Sequence, residues 1–156
     1  MGIITWKIFN SREIKDVKKK LTAWLGELPG LDYGFLLNEK NKIYIVSKDI
    51  AGVDLSSLRL DRIGLYFAEL MESGEIRLSV EGSQLVGPFA KQGIYDLNEE
   101  QLRTYFIGRD LVVAETLETQ FYLLRYGKDF LGSAKYKNGK LLNFFPKIHR
   151  TEELLC

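Results

Sequence analysis

Cysteine is almost absent from this sequence, which has one, Cys156, at the last position. A single thiol excludes an internal disulfide framework and any zinc site built on cysteines, and we therefore expect a cytoplasmic protein. Histidine is equally scarce, since His149 is the only one, and a metal site would need mainly carboxylate ligands. A nucleophile-elbow motif is also missing. The sequence therefore predicts no catalytic residues, no metal site and no cofactor.

Long apolar runs are missing as well. No stretch approaches the roughly 20 apolar residues that a membrane-spanning helix needs. Residues 1–6 lack the basic region and apolar run of a secretory signal, and we expect no membrane contact. The chain has 156 residues, of which 46% are hydrophobic, 28% charged and 12% aromatic. This composition is typical of a folded globular protein.

The hydrophobic pattern predicts an α+β fold in which short strands outnumber helices. One helix is expected to start at the N-cap Asn10 and to end at Gly26, because apolar residues recur at helical spacing between them. Its opposite face, residues 12–20, is rich in lysine. Such a face is usually only solvated, although it could extend an RNA track or meet an acidic partner. A second helix is expected to start at Asn98.

A segment of small residues with a proline, 81–88, indicates a boundary between two halves. We expect a small N-terminal α/β domain over 1–80, a mainly β pseudo-barrel over 81–150 and a tail over 151–156. Gly82 and Gly87 bracket this segment. They would let an RNA backbone approach closely, or serve ordinary turn chemistry.

The charge of the chain is unevenly distributed, although the net charge is only +1. Between Arg125 and Arg150 there are seven basic residues and one acid, Asp129, so this segment carries +6. A near-neutral chain with one strongly basic end is a mark of nucleic-acid contact. The alternative is a basic face that is merely solvated.

The dipeptide Asn138-Gly139 lies between two alternating segments and predicts a β-hairpin with a two-residue turn. Lys137 would then lie opposite Lys140. One face would carry Lys135, Lys137, Lys140 and Phe144; the other would carry Ala134, Tyr136, Leu141 and Phe145. Like charges directly opposite each other are unfavourable, and a phosphate would relieve them. Single-stranded or loop RNA would use such lysines together with stacking on Phe144. Alternatively, Phe144 is core and the lysines extend into solvent.

Residues 127–135 (GKDFLGSAK), residues 138–147 (NGKLLNFFPK) and Arg150 resemble the end of a PUA-type RNA-binding domain. More closely, they resemble the C-terminal module of RsmF-type (Nop2/Sun/Fmu) RNA cytosine methyltransferases. Upstream, residues 33–35, 63–67 and 77–84 are similar to the pre-PUA region of that family. The resemblance implies a free-standing archaeal-type protein with pre-PUA and PUA halves and a role in ribosome biogenesis or rRNA processing.

The resemblance does not include the methyltransferase domain. No Gly-rich strand-to-helix loop for S-adenosylmethionine precedes the matching region. Attack on a cytosine ring needs a thiol, and the one thiol of the sequence belongs to Cys156. We therefore expect no methyl transfer by this chain alone, and a protein that is not an enzyme.

The leading hypothesis is a non-catalytic protein that binds rRNA or tRNA and positions an RNA methyltransferase or a ribosome assembly factor. Basic side chains would contact phosphates, His149 a phosphate or a base, and Phe144 and Gln84 bases. The candidate cations are Lys128, Lys135, Lys137, Lys140, Lys147 and Arg150. The alternative is an interaction module that docks on a methyltransferase or ribosomal protein and contacts RNA little.

Overall fold

The computed structural model describes residues 6–48 and 64–147. Two of the predicted RNA contacts, His149 and Arg150, lie outside the described residues, as does Cys156.

The first half of the chain forms an antiparallel sheet whose five strands are neighbours in chain order. The strands are β1 (Lys7–Ile8), β2 (Gly34–Leu37), β3 (Lys42–Val46), β4 (Leu65–Leu70) and β5 (Ile76–Leu78). Helix α1 (Ser11–Leu25) packs on this sheet and buries Val17, Leu21 and Leu25. Its start at Asn10 is confirmed, because the side chain of Asn10 accepts a hydrogen bond from the backbone of Glu13 in a capping box.

The second half forms another five-stranded sheet, of order β6-β8-β9-β10-β7, in which only the β6–β8 pair is parallel. Its strands are β6 (Ile94–Asp96), β7 (Leu111–Val112), β8 (Phe121–Tyr126), β9 (Asp129–Lys137) and β10 (Lys140–Leu142). The second predicted helix, with its N-cap at Asn98, is confirmed as Glu99–Phe106. The α+β class, with more strand than helix, is also confirmed.

A short helix, α2 (Val80–Val86), lies between the two sheets and is followed by a 3₁₀ turn, Gly87–Phe89. We therefore number the helix Glu99–Phe106 as α3. The predicted boundary at residue 81 falls inside α2. A side chain on Gly82 would lie 2.0 Å from the carbonyl oxygen of Phe67, and one on Gly87 would lie 2.4 Å from the Phe130 ring. The close approach at both glycines is therefore between segments of the protein.

The two sheets share buried surface. Leu123 and Phe130 of the second sheet belong to the same hydrophobic cluster as Leu21 and Phe67 of the first half. The hydroxyl of Ser133 donates to the carbonyl of Leu78 at 2.7 Å, and the backbone N–H of Gly132 donates to the hydroxyl of Ser83 at 2.8 Å. At the other side of the junction, the indole of Trp24 donates to the carbonyl of Gly93 at 3.1 Å. The first two contacts fix strand β9 against β5 and α2, and the third joins α1 to the segment before β6. Across the two described ranges, no helix is long and apolar enough to cross a membrane.

Candidate nucleic-acid interface

The predicted hairpin is present, and its register is the predicted one. Lys137 pairs with Lys140, Tyr136 with Leu141 and Lys135 with Leu142. Asn138 and Gly139 both have positive φ, 52° and 82°, which is the backbone that a two-residue hairpin turn of this kind requires. Lys137 and Lys140 are exposed directly opposite each other. Neither forms an ion pair with any residue that the structure describes.

The opposite face of the hairpin is core, as predicted. Ala134, Tyr136, Leu141 and Phe145 are all buried and belong to the hydrophobic cluster of the second sheet. Because one face is buried, a register shift would bring the lysines into the core. The packing of this face therefore fixes the position of the lysine pair.

Lys135 differs from the expectation of three uncompensated lysines. Its Nζ atom lies 2.5 Å from Oε1 of Glu75, a residue of the β4–β5 turn in the first sheet. The same Nζ lies 5.7 Å from the centroid of the Phe121 ring. The pair is partly buried, with 25% of the Lys135 side chain exposed. In this structure Lys135 therefore joins the two sheets, and its charge is compensated.

Phe144 is half-buried and lies between two side chains. The guanidinium of Arg77 lies 4.9 Å from the centroid of its ring, and the Phe121 ring lies 5.8 Å away on centroids. A base could stack on the remaining exposed part of the ring, while part of the ring surface is already covered by protein.

The other predicted contacts are spread over the molecule. Lys128 is exposed in the β8–β9 turn, at the far end of the nine-residue strand β9 from Lys137, which is up to about 30 Å in an extended strand. Gln84 is exposed on α2, and Lys147 is exposed after the hairpin. The structure thus brings together Lys137 and Lys140 and separates Lys128 from them.

The basic segment that carries +6 in the sequence is partly compensated by partners distant in sequence. Besides the Lys135–Glu75 pair, Arg125 donates to both carboxylate oxygens of Asp96, at 2.6 and 2.9 Å. The Arg125 guanidinium lowers the pKa of the Asp96 carboxyl below its ordinary value. Lys128, Lys137, Lys140 and Lys147 are the cations of this segment that the described residues leave unpaired.

Arg77 is a site residue that the sequence did not indicate. It alternates with Ile76 and Leu78 along β5 and therefore reads as an ordinary exposed strand residue, yet only 13% of its side chain is exposed. Its Nη2 atom lies 3.3 Å from both the Tyr66 hydroxyl and a carboxylate oxygen of Glu69. Its Nε atom is buried and has no hydrogen-bond partner within the described part of the chain.

Arg77 lines a cavity of about 320 Å³ at the junction of the two sheets. The cavity also includes Lys42, Tyr66, Glu69, Glu81 and Phe144. Burial raises the pKa of the Tyr66 phenol, and the charge of Arg77 opposes this rise. Tyr66 therefore stays protonated at neutral pH. No spacing signal in the sequence points to this group, because its members come from β3, β4, β5, α2 and the segment after β10.

The described residues were also compared with the ligand groups of metal sites. No three His, Cys, Asp or Glu side chains among residues 6–48 and 64–147 come together as a metal site.

Part of the chain is similar to a known protein family. Residues 92–151, which include the hairpin and the whole second sheet, match the family model of the methyltransferase RsmF PUA domain. These residues are therefore similar to a PUA module. The match begins at Gln92, two residues before β6.

Similarity to named proteins extends beyond residues 92–151. Ribosomal RNA small subunit methyltransferase F of Aeromonas salmonicida (strain A449) is 27% identical over 147 residues, which are 94% of this chain and 30% of that protein. The protein of the same name from Aeromonas hydrophila subsp. hydrophila is 27% identical over 137 residues, which are 88% of this chain and 28% of that protein. The chain spans less than a third of these relatives. Its resemblance to the RsmF-type C-terminal region is confirmed.

Proposed function

We propose that these 156 residues bind RNA through the exposed lysine pair at the tip of the β9–β10 hairpin of the PUA module. The observation that carries the proposal is the geometry of Lys137 and Lys140. They lie directly opposite each other, without an ion-pair partner among the described residues, on a hairpin whose other face is buried. Two ammonium groups held side by side repel each other, and a phosphate between them removes the repulsion while contributing two charge-assisted contacts.

The finer parts of the proposal rest on the relatives. Both are named as ribosomal RNA small subunit methyltransferases, and we infer that ribosomal RNA or its precursor is the ligand rather than tRNA. The present residues match less than a third of those relatives. We therefore propose that residues 1–156 position RNA for a methyltransferase or an assembly factor, in the cytoplasm, and do not transfer the methyl group.

The predicted division into a pre-PUA domain, 1–80, and a PUA domain, 81–150, is retained as part of the proposal. It is supported by one sheet on either side of α2. The archaeal type that the resemblance implies also stays a prediction.

The test is binding to a small-subunit ribosomal RNA transcript, with a tRNA transcript as comparator, over a series of salt concentrations. Each phosphate that a lysine neutralises contributes about 0.7 to 0.9 to the slope of log K against log salt. Lys137→Glu/Lys140→Glu should therefore reduce the slope by about 0.7 to 0.9, the contribution of the one phosphate that the lysine pair would hold. Lys40→Glu/Lys91→Glu, which makes the same charge change at two exposed lysines outside both the hairpin and the lysine-rich face of α1, is the matched control.

An equal loss in both variants would show that only total charge matters and would remove the hairpin as the site. The docking alternative would be favoured instead by a protein partner that is retained after nuclease treatment and is unaffected by Lys137→Glu/Lys140→Glu.

A further inference from the structure

We propose that the cavity at the junction of the two sheets takes one unpaired nucleobase of the bound RNA, with Arg77 as the donor that recognises it. This inference rests on the proposed function and deepens it. It adds a base-recognition site to a hairpin that contacts only the backbone.

The Nε–H of Arg77 is buried and has no acceptor among the described residues. A buried donor without an acceptor destabilises the folded state, and such groups are uncommon in folded proteins. Arg77 cannot turn its guanidinium away, because Nη2 is held by Tyr66 and Glu69 and the group packs over the Phe144 ring. Because Arg77 lines the cavity, an acceptor on a ligand there would satisfy Nε once the side chains that cover this atom move aside.

The second step is the charge of the lining, which selects the ligand. The cavity holds two cations, Lys42 and Arg77, and two acids, Glu69 and Glu81. A free phosphate or carboxylate would meet Arg77 but also both acids. A neutral ligand that offers an acceptor beside a donor fits a wall where a guanidinium and a carboxylate are adjacent, 3.3 Å apart.

The third step identifies that ligand as a nucleobase. The Watson–Crick edge of every RNA base carries an acceptor next to a donor, and splayed-out bases are read on this edge by side chains. The cavity volume, about 320 Å³, lies at the lower end of the range for small-ligand sites. It therefore suits one base. In a duplex this edge is occupied by the partner base, so the site requires an unpaired nucleotide.

The experiment compares a short RNA single strand of mixed sequence with the same strand annealed to its complement. Arg77→Lys keeps the charge and removes the Nε–H. We expect it to weaken single-strand binding about tenfold or more and to leave duplex binding and both salt slopes unchanged. Arg103→Lys, at an exposed arginine of α3 paired with Glu99, is the matched control and should change neither affinity.

A second measurement on the wild-type chain does not depend on any variant folding. The Nε–Hε resonance of Arg77 is followed by NMR in isotope-labelled protein while uridine, guanosine or inorganic phosphate is added. We expect the nucleosides to shift this resonance and phosphate to leave it in place.

The outcomes separate this inference from the proposed function. If Arg77→Lys binds single strand and duplex as the wild type does, or if phosphate alone shifts the Arg77 resonance, the base site is overturned while RNA binding by the hairpin stands. If the wild type binds no RNA, the proposed function fails. The nucleoside titration then decides the cavity alone: a shift supports it and no shift overturns it.

Discussion

A methyl group on Gly82 would lie 2.0 Å from the carbonyl oxygen of Phe67, a backbone atom that cannot move without displacing β4. Gly82→Ala should therefore lower the free energy of unfolding by about 1 to 3 kcal/mol, the usual effect of overpacking. Gly30→Ala is the matched control, because no atom lies within 4 Å of the added group. Urea denaturation of both variants measures the difference. Equal stability of the two would contradict the close packing of α2 on β4.

The Asp96–Arg125 pair predicts that the free energy of unfolding depends on pH. The pKa of Asp96 lies below its ordinary 3.8, first because Arg125 hydrogen-bonds to it. The pair therefore stabilises the fold above about pH 4, and this contribution disappears as the pH falls through the lowered pKa. Because both side chains are more than a third exposed, we expect the pair to contribute less than about 1 kcal/mol to the free energy of unfolding.

Asp96→Asn should accordingly be less stable than the wild type at neutral pH and equal to it at about pH 2. Urea unfolding at the two pH values measures this. Glu39→Gln, in the exposed β2–β3 turn, should match the wild type at both. A difference between Asp96→Asn and the wild type that persists at low pH would show that the ion pair is not its origin.

Single elements were largely predictable from sequence, because their signals are local. The capped start of α1 at Asn10 and the Asn138-Gly139 hairpin depend on residues within a few positions of each other, and both are confirmed. The partners of Lys135 and Phe144 were not predictable. Glu75 lies 60 positions before Lys135, and Arg77 reaches Phe144 only because the segment after β10 folds back over the first sheet. No periodicity within one element encodes such a contact.

The Lys135–Glu75 contact between β9 and the β4–β5 turn gives a prediction about the hairpin. Glu75→Gln removes the charge that compensates Lys135 and leaves a third lysine on the face that carries Lys137 and Lys140. We expect RNA affinity at low salt to rise and the slope of log K against log salt to steepen by about 0.7 to 0.9. The measurement is the same salt series as for the hairpin variants.

Glu72→Gln is the control for Glu75→Gln, since Glu72 is exposed in the same turn and forms no ion pair with a described residue. If both variants raise the affinity equally, the effect comes from net charge and Lys135 takes no part in binding.

The whole molecule is expected to unfold as one unit, because Leu123 and Phe130 of the second sheet are buried in the core of the first. Leu141→Ala tests this expectation, since Leu141 belongs to the separate cluster of the second sheet. The substitution should cost about 2 to 5 kcal/mol. The two tryptophans, Trp6 and Trp24, lie in the first half. The denaturation midpoint measured by their fluorescence should nevertheless fall as far as the midpoint measured by far-ultraviolet circular dichroism, which reports on both halves.

A fluorescence midpoint that stays at the wild-type value in Leu141→Ala would show that the halves unfold independently. Leu37→Ala serves as the reciprocal variant, because Leu37 packs against the cluster of the first half. Both optical signals should shift together for that variant as well.

The burial of Leu123 and Phe130 under the first sheet also limits how well either half can exist without the other. A gene segment that encoded the PUA module without its neighbour would expose these two apolar side chains, and its product would tend to aggregate. A break at the junction would therefore leave apolar surface uncovered on both halves, because each half covers the other. The likeness to the Aeromonas salmonicida protein likewise extends over 94% of the chain, beyond residues 92–151.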